Sequence, residues 1–222
     1  VLWHGSSAIG TQAIFPMLIN SLIMAVLIAS GKIILAMLSA FAIVFFRFPL
    51  RIFCFWLIFL TLMLPVEVRI LPTFEVVAKF HLTNTYAGLT LPLIASATAT
   101  FLFRQFYLTI PNDLVNAARI DGAGPLRFFR DILLPLSKTN IAALFIIMFI
   151  YGWNQYLWPL VVTTQSNMTT IVMGMQQMAN VANEIPKWNE IMAIAILAML
   201  PPVLVIFLMQ RLFVKGLLEV DR

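Results

Sequence analysis

The sequence contains little charge. Only 10% of its 222 residues are Asp, Glu, Lys or Arg, whereas soluble domains carry about 25%. At the same time 62% of the residues are hydrophobic, and a soluble fold of this length has no interior large enough to bury them. The composition therefore excludes a soluble domain and predicts an integral membrane protein, whose apolar side chains have lipid as their solvent.

Several kinds of site are also missing. The one cysteine, Cys54, cannot form an internal disulfide and is interpreted as a small apolar filler. His4 and His81 have no second ligand at metal-binding spacing, so no metal site is expected. The sequence has neither a Gly-x-x-x-x-Gly-Lys-Ser/Thr phosphate loop nor a nucleophile–base pair. We therefore expect no catalytic residue and no bound cofactor. Because the basic residues lie between apolar runs, the net charge of +5 does not indicate nucleic-acid binding.

Long apolar segments predict five membrane-spanning helices within one domain over residues 1–222. About 20 residues of helix cross about 30 Å of hydrocarbon, and lipid offers no partners for open backbone groups, so every span should be helical. The predicted spans are 17–46, 52–70, 86–107, 139–160 and 191–212. Prolines remove a backbone donor and tend to kink helices. The prolines in or beside these spans are Pro65, Pro72, Pro92, Pro201 and Pro202. Lys32 lies in the first span, where packing or snorkelling explains it better than a polar path.

The basic residues predict the orientation, because cytoplasmic loops carry an excess of Lys and Arg. The richer set of loops holds Arg47, Arg51, Arg104, Arg119, Arg127, Arg130, Lys138, Arg211, Lys215 and Arg222. The other set holds Arg69, Lys79 and Lys187. We therefore expect the richer set and the C-terminus in the cytoplasm, and residues 1–15 and 161–190 outside. An outside N-terminus without a preceding span is awkward to insert, so a further, N-terminal span is expected, which would make six.

A polar segment over residues 111–135 interrupts the apolar pattern. It reads PNDLVNAARIDGAGPLRFFRDILLP, and its charged side chains are too costly for the middle of a bilayer. Asn112 is expected to cap a helix over 113–120, which Gly122 ends in a left-handed conformation. Pro125 suits the first turn of a second helix, and Pro135 stops it. Asp121 is expected to cap the turn between them.

This helix–turn–helix pattern resembles the EAA motif of ABC importer permeases, broadly E-A-A-x-x-x-D-G-A with a downstream Phe and Pro. The matching residues are Asn116, Ala117, Ala118, Asp121, Gly122, Ala123, Phe128 or Phe129, and Pro135. Asn116 replaces the family's Glu, so a neutral contact stands where the family has a charged one. The alternative is an ordinary amphipathic surface loop, but the composite pattern is rare by chance.

Other segments extend the resemblance over the whole chain. Residues 32–51 resemble the second span of the maltose-permease-like family. Segments 62–69, 84–106, 135–140 and 149–160 are closer still to the E-type permease subunits that import sn-glycerol 3-phosphate.

The resemblance implies an all-α polytopic membrane bundle, with six spans in the family, whose polar loop docks on a cytoplasmic ATPase as a coupling helix. It also implies the permease subunit of an ATP-driven importer of sn-glycerol 3-phosphate or related glycerophosphodiesters in the bacterial inner membrane. Such a subunit is not an enzyme, because ATP binds the partner ATPase. The expected partners are a homologous second permease, an ATPase dimer, a periplasmic substrate-binding protein and membrane lipid.

Three residues are candidates for the substrate path. Arg69 lies at the outer side, where it could guide a phosphate or serve as an interfacial anchor paired with Glu67. Asn154 and Gln155 lie among aromatic residues of the fourth span, where they could contact substrate or hold helices together. Other functions compatible with the sequence are a sugar or oligosaccharide permease of the same class and a secondary transporter or channel. A membrane-embedded enzyme is disfavoured by the lack of catalytic groups.

Overall fold

A computed structural model describes residues 14–64, 66–180 and 186–220. The side chains at 62, 66, 67 and 211–220 are not part of that description. Residues 1–13, which include His4 and most of the stretch predicted to lie outside the membrane, are therefore not among the described residues. The same holds for Pro65, where a kink was predicted.

All regular structure in the described part of the chain is helical. The α-helices are α1 (Ile14–Phe45), α2 (Arg51–Leu60), α3 (Val66–Lys79), α4 (Tyr86–Thr90), α5 (Ala97–Leu108), α6 (Asn112–Ile120), α7 (Pro125–Phe128), α8 (Leu134–Leu136), α9 (Lys138–Trp153), α10 (Leu157–Val162), α11 (Ile171–Ala179) and α12 (Trp188–Val220). Short 3₁₀ turns cover Thr61–Met63, Leu91–Leu93 and Ser166–Met168, and a π-helical turn covers Phe129–Leu133. The predicted all-α class is confirmed.

Two of the described helices are long and apolar enough to cross a membrane alone. They are α1 and the Trp188–Gln210 part of α12, which continues through Pro201 and Pro202. Two bent pairs, Tyr86–Leu93 with Ala97–Leu108 and Pro125–Leu136 with Lys138–Trp153, pass the same test jointly. By length and composition the described chain therefore offers two to four spans, fewer than the five predicted.

The predicted single helix over 52–70 is wrong. Helix α2 ends at Leu60, and after the 3₁₀ turn Leu64 is extended, with φ −85° and ψ 113°. A residue that precedes proline is driven out of the α region by contact with the proline ring. Helix α3 then begins at Val66, beyond Pro65.

The first part of the predicted outer loop 161–190, residues 161–180, contains regular structure. It contains the end of α10, a 3₁₀ turn and α11. Met168, Thr169, Thr170, Ile171 and Met173 are buried, so this segment packs into the fold like a core element. Lys32 is likewise buried, with 6% of its surface exposed, which favours packing over snorkelling.

The chain divides into two compact units. The first gathers residues 14–30, 66–94 and the described part of 146–208. Its core centres on Met24, Ile28, Leu89, Trp158 and Val162. The Trp158 Nε1–H donates to the carbonyls of Gly88 and Leu89, at 3.2 Å each, which holds α10 against α4.

The second unit gathers residues 31–64, 95–145 and 209–220. Aromatic rings hold its elements together. Phe41 and Phe45 in the last turns of α1 contact Tyr107, Phe128 and Phe129, while Phe55 and Phe59 of α2 contact Phe101 of α5. The polar loop 111–135 belongs entirely to this unit.

Candidate coupling loop and substrate path

The turn at Gly122 has the geometry predicted from the sequence. Gly122 has φ +71°, in the left-handed region that glycine adopts without steric cost. The Ala123 N–H donates to the Ala118 carbonyl at 2.9 Å, and the Gly122 N–H donates to the Arg119 carbonyl at 3.1 Å. These two bonds form a Schellman motif, which satisfies the last carbonyls of α6. The chain therefore reverses sharply after Ile120.

Two predicted caps of this loop are wrong. Helix α6 begins at Asn112, and Pro111, with φ −60° and ψ 137°, occupies the cap position without a side-chain hydrogen bond. Proline already has the φ that a helix start requires, so the helix begins one residue earlier than Asn112 capping would allow. Asp121 is exposed, and within the described residues its carboxylate makes no hydrogen bond or ion pair.

The second helix of the loop begins where predicted and has an unexpected wide turn. Pro125 is its first residue, and the Phe128 N–H donates to the Gly124 carbonyl at 2.9 Å. The Leu134 N–H bonds to the Phe129 carbonyl in the π-helical turn. Pro135 has no N–H to continue the helical ladder. The helix ends at Leu136, one residue beyond Pro135, and the chain bends by 73° into α9.

Phe128 anchors the loop to α1. It is 6% exposed, and its ring centroid lies 5.2 Å from Phe45 and 6.4 Å from Phe41. Phe129 lies 5.1 Å from Phe41. Each such pair contributes about 0.5 to 1.5 kcal/mol beyond its buried area. The motif therefore uses both phenylalanines, with Phe128 as the more buried one.

Ala117 and Ala118, the adjacent alanines of the motif, face different ways. Ala118 is 4% exposed and lines a cavity of about 170 Å³ together with Phe41, Phe45 and Ala123. Its short side chain therefore lets α6 pack closely against other residues of this chain, and not into a groove on another protein. Asn116 and Ala117 are exposed on the outer side of α6, where another protein can reach them.

Sequence analysis missed two exposed apolar residues beside the turn. Ile120 is 86% exposed and Leu126 is 80% exposed. Leaving such side chains in water forgoes about 1.5 to 3 kcal/mol each. The signal was available, because both stand next to turn-forming Gly and Pro in an otherwise polar segment. With Asn116 and Ala117 they form what we call the outer surface of the coupling loop.

Arg69 lies beside a separate cavity in the first unit. The cavity has a volume of about 530 Å³, and Thr73, Val76, Phe80 and Leu91 are among its other lining residues. Arg69 is exposed and makes no ion pair with any described side chain. Its pairing with Glu67 stays a prediction, because the Glu67 side chain lies outside the described part of the chain.

Within the described residues, neither Asn154 nor Gln155 forms a hydrogen bond to another helix. Neither of them lines the cavity beside Arg69. Asn154 is exposed just after α9, and the Gln155 Nε2–H donates to the Tyr151 carbonyl at 3.1 Å, one turn earlier in the chain. The structural interpretation of these amides is therefore wrong, and their substrate role stays a prediction.

The buried amide that joins segments is Asn20 of α1. Its Nδ2–H donates to the Asn167 carbonyl at 2.8 Å and to the Thr169 carbonyl at 3.1 Å. Its Oδ1 accepts from the Tyr86 hydroxyl at 2.6 Å. A polar pair, Asn20-Ser21, within an apolar span was the sequence signal that could have revealed it.

Comparison with known proteins identifies the family. Residues 32–219 match the family described as "Binding-protein-dependent transport system inner membrane component". The "sn-glycerol-3-phosphate transport system permease protein UgpE" of Brucella melitensis is 66% identical over 203 residues, which are 91% of this chain and 72% of that protein. The protein of the same name from Rhizobium meliloti is 66% identical over 206 residues, 93% of this chain and 73% of its own length. The one from Salmonella typhi is 58% identical over 221 residues, 100% of this chain and 79% of its own length.

The fold has a solved counterpart. It resembles a chain in the crystal structure of a bacterial ABC transporter involved in the import of the acidic polysaccharide alginate, with a TM-score of 0.78, 19% sequence identity and coverage of 89% of this chain and 74% of that chain. At that identity the likeness supports the fold alone. The match over residues 32–219 shows that this chain belongs to the family of inner-membrane components of binding-protein-dependent transport systems.

Proposed function

We propose that this permease subunit carries sn-glycerol 3-phosphate across the inner membrane of a bacterium. The observation that carries the proposal is the 58–66% identity to permeases named for that substrate, over 91–100% of this chain. As a family member the chain is a transport component rather than an enzyme. Membership of this family also argues against a secondary transporter that works without an ATPase.

The outer surface of the coupling loop is proposed to dock on a cytoplasmic ATPase dimer, which binds and hydrolyses the ATP. Ile120 and Leu126 would enter an apolar groove and so lose their exposure to water. Phe128 would then pass the movement of the ATPase to α1 through Phe41 and Phe45. A homologous second permease and a periplasmic substrate-binding protein would complete the importer.

The cavity beside Arg69 is proposed as an outer approach for the cargo. A phosphate monoester is close to a dianion near neutral pH, and a guanidinium binds it through two parallel hydrogen bonds. Within α3, Lys79 offers a matched control, because it is exposed in the last turn and does not line the cavity.

We expect Arg69→Gln to weaken the transport affinity for sn-glycerol 3-phosphate about tenfold, because it removes one charge-assisted contact. The Lys79→Gln variant should transport normally. The measurement is the concentration dependence of labelled substrate uptake. Unchanged affinity and rate in the Arg69 variant would remove that residue from the path.

The identity of the substrate is tested by uptake into cells that have no other transporter for sn-glycerol 3-phosphate or maltose. Cells with the complete importer should accumulate labelled sn-glycerol 3-phosphate, and a tenfold excess of unlabelled maltose should not reduce uptake. Uptake of labelled maltose without uptake of sn-glycerol 3-phosphate would instead assign the chain to the sugar permeases. Purification of the importer should bring down an ATPase, since this chain has no phosphate loop of its own.

A further inference from the structure

A second basic site lies where α2 meets α5 in the second unit. The Phe55 ring of α2 stacks on Phe101 of α5 at 6.5 Å, and Phe59 lies 5.9 Å from the same Phe101 ring. Arg104, one turn further along α5, places its guanidinium carbon 4.2 Å from the centroid of the Phe55 ring. Four aromatic and cationic groups thus fix the relative position of the two helices at this point.

Among the side chains that the structure describes, the positive charge of Arg104 has no carboxylate partner. The Arg104 Nε is buried, and no described group forms a hydrogen bond with it. Every ion pair among the described side chains involves Asp131 or Glu190 instead. Arg104 as a whole is only half-buried, and its terminal nitrogens are not among the buried atoms without a partner in the described residues. The end of the guanidinium can therefore receive an anion from outside the chain.

A second arginine lies one helical turn before Phe55. Arg51 is the first residue of α2, exposed, and four residues before Phe55. Residues four apart lie on one helix face, so Arg51 stands one turn before Phe55 on the face of α2 whose Phe55 ring lies under the Arg104 guanidinium. Leu50 makes no side-chain cap at this helix start, and the positive end of the helix dipole adds to the charge of the arginines. Arg47 is exposed three residues before Leu50.

The surface beyond these arginines is apolar. Exposed side chains cover the rest of α2, among them Ile52, Phe53, Trp56, Leu57 and Leu60. Helix α2 is about 15 Å long, half the thickness of the hydrocarbon layer. Tryptophan is typical of the boundary between headgroups and acyl chains. A soluble phosphate ester would leave this apolar surface uncovered, whereas the acyl chains of a lipid would cover it.

We propose that Arg51 and Arg104 bind the phosphate of an anionic phospholipid, such as phosphatidylglycerol, whose acyl chains lie along the exposed face of α2. Each guanidinium offers a planar pair of donors to the phosphodiester oxygens. The phosphate would meet the terminal nitrogens of the Arg104 guanidinium, since the buried Nε cannot be reached from outside. This site is separate from the cargo cavity and does not depend on which substrate the importer carries.

The test is native mass spectrometry of the intact importer complex, purified with phosphatidylglycerol or with phosphatidylethanolamine. We expect wild-type complexes to retain phosphatidylglycerol preferentially. The double variant Arg51→Gln/Arg104→Gln should bind it about tenfold or more weakly, because charge-assisted hydrogen bonds are lost. The matched control is Lys138→Gln, which removes an exposed cation from α9 of the same unit and should leave lipid retention unchanged.

Further arms separate the other possible occupants. The double lysine variant, Arg51→Lys/Arg104→Lys, should assemble normally and retain an intermediate amount of lipid, since it keeps the charge and loses the planar donor pairs.

Equal loss in the Lys138 control, or equal retention of both lipids, would overturn the proposal. Displacement of the lipid by millimolar sn-glycerol 3-phosphate or inorganic phosphate would reassign the site to a soluble anion. Efficient cross-linking of a Phe53→Cys variant to the second permease would reassign α2 to a protein interface.

Discussion

At Gly122 the shape of the coupling loop depends on one residue's freedom of rotation. The residue has φ +71°, and a Cβ added there would meet no atom within 4 Å. Steric crowding by neighbouring groups therefore plays no part in the requirement for glycine. The left-handed backbone costs an L-residue about 1 to 2 kcal/mol, and that cost would oppose the Schellman turn that ends α6.

We expect Gly122→Ala to lower the population of the correctly turned loop about five- to thirtyfold, following from that strain. Transport and substrate-stimulated ATP hydrolysis by the assembled importer should fall together. Gly122→Asn should lose less, since asparagine tolerates the left-handed region better. Gly124→Ala is the matched control: Gly124 has φ −67° and open space around a Cβ. Equal loss at positions 122 and 124 would contradict the argument.

The coupling loop and α1 act as elements joined by aromatic packing. Phe128 and Phe129 contact the last turns of α1 through Phe41 and Phe45. The surface ion pairs Arg127–Asp131 and Arg130–Asp131 add little, because both partners are more than half exposed and such pairs contribute about 1 kcal/mol or less. The rings therefore hold the loop in position, and the charged pairs are secondary.

Replacing Phe128 with Ala should cost about 3 to 5 kcal/mol of packing free energy. We expect ATP hydrolysis by the complex to become largely independent of transport, because the docked loop no longer moves α1. Phe128→Leu should keep most of the coupling, since it retains apolar volume. The ratio of substrate transported to ATP hydrolysed measures the effect. The control is Arg127→Gln, for which an unchanged ratio is expected; an unchanged ratio in Phe128→Ala would contradict the proposed transmission.

At the scale of the whole molecule, the central question is which segments face the cytoplasm. The basic residues predict the coupling loop and the C-terminus inside, and the segment around Lys187 outside. The loop is polar and exposed, as expected for a surface in water on either side of a membrane. The proposed ATPase docking requires the cytoplasmic side.

Labelling with a membrane-impermeant maleimide tests this orientation. In a Cys54→Ser background, Arg119→Cys should be labelled in inside-out vesicles and protected in intact spheroplasts. Lys187→Cys should show the opposite pattern, and both side chains are exposed enough to react. Labelling of position 119 from the outside would contradict the proposed coupling mechanism.

The sequence by itself determined the membrane setting, the helical class and the helix–turn–helix of the loop. Each of these follows from local or compositional physics. A low content of charge indicates that lipid is the solvent, and lipid requires the backbone to be helical. Gly122 and Pro125 favour particular backbone angles whatever the surrounding fold. The breaks before α3 and α5 were harder to foresee, because continuous hydropathy conceals a local loss of helical geometry at Leu64 and at 94–96.

Only the tertiary structure decided which side each residue faces. It turned Ala118 inward and left Ile120 outward, buried the amide of Asn20 while exposing that of Asn154, and placed Arg104 over Phe55. These outcomes depend on contacts between segments distant in the chain, such as the 147 residues that separate Asn20 from Asn167. A local pattern carries no information on such contacts, since the partner that buries a side chain is supplied by another helix.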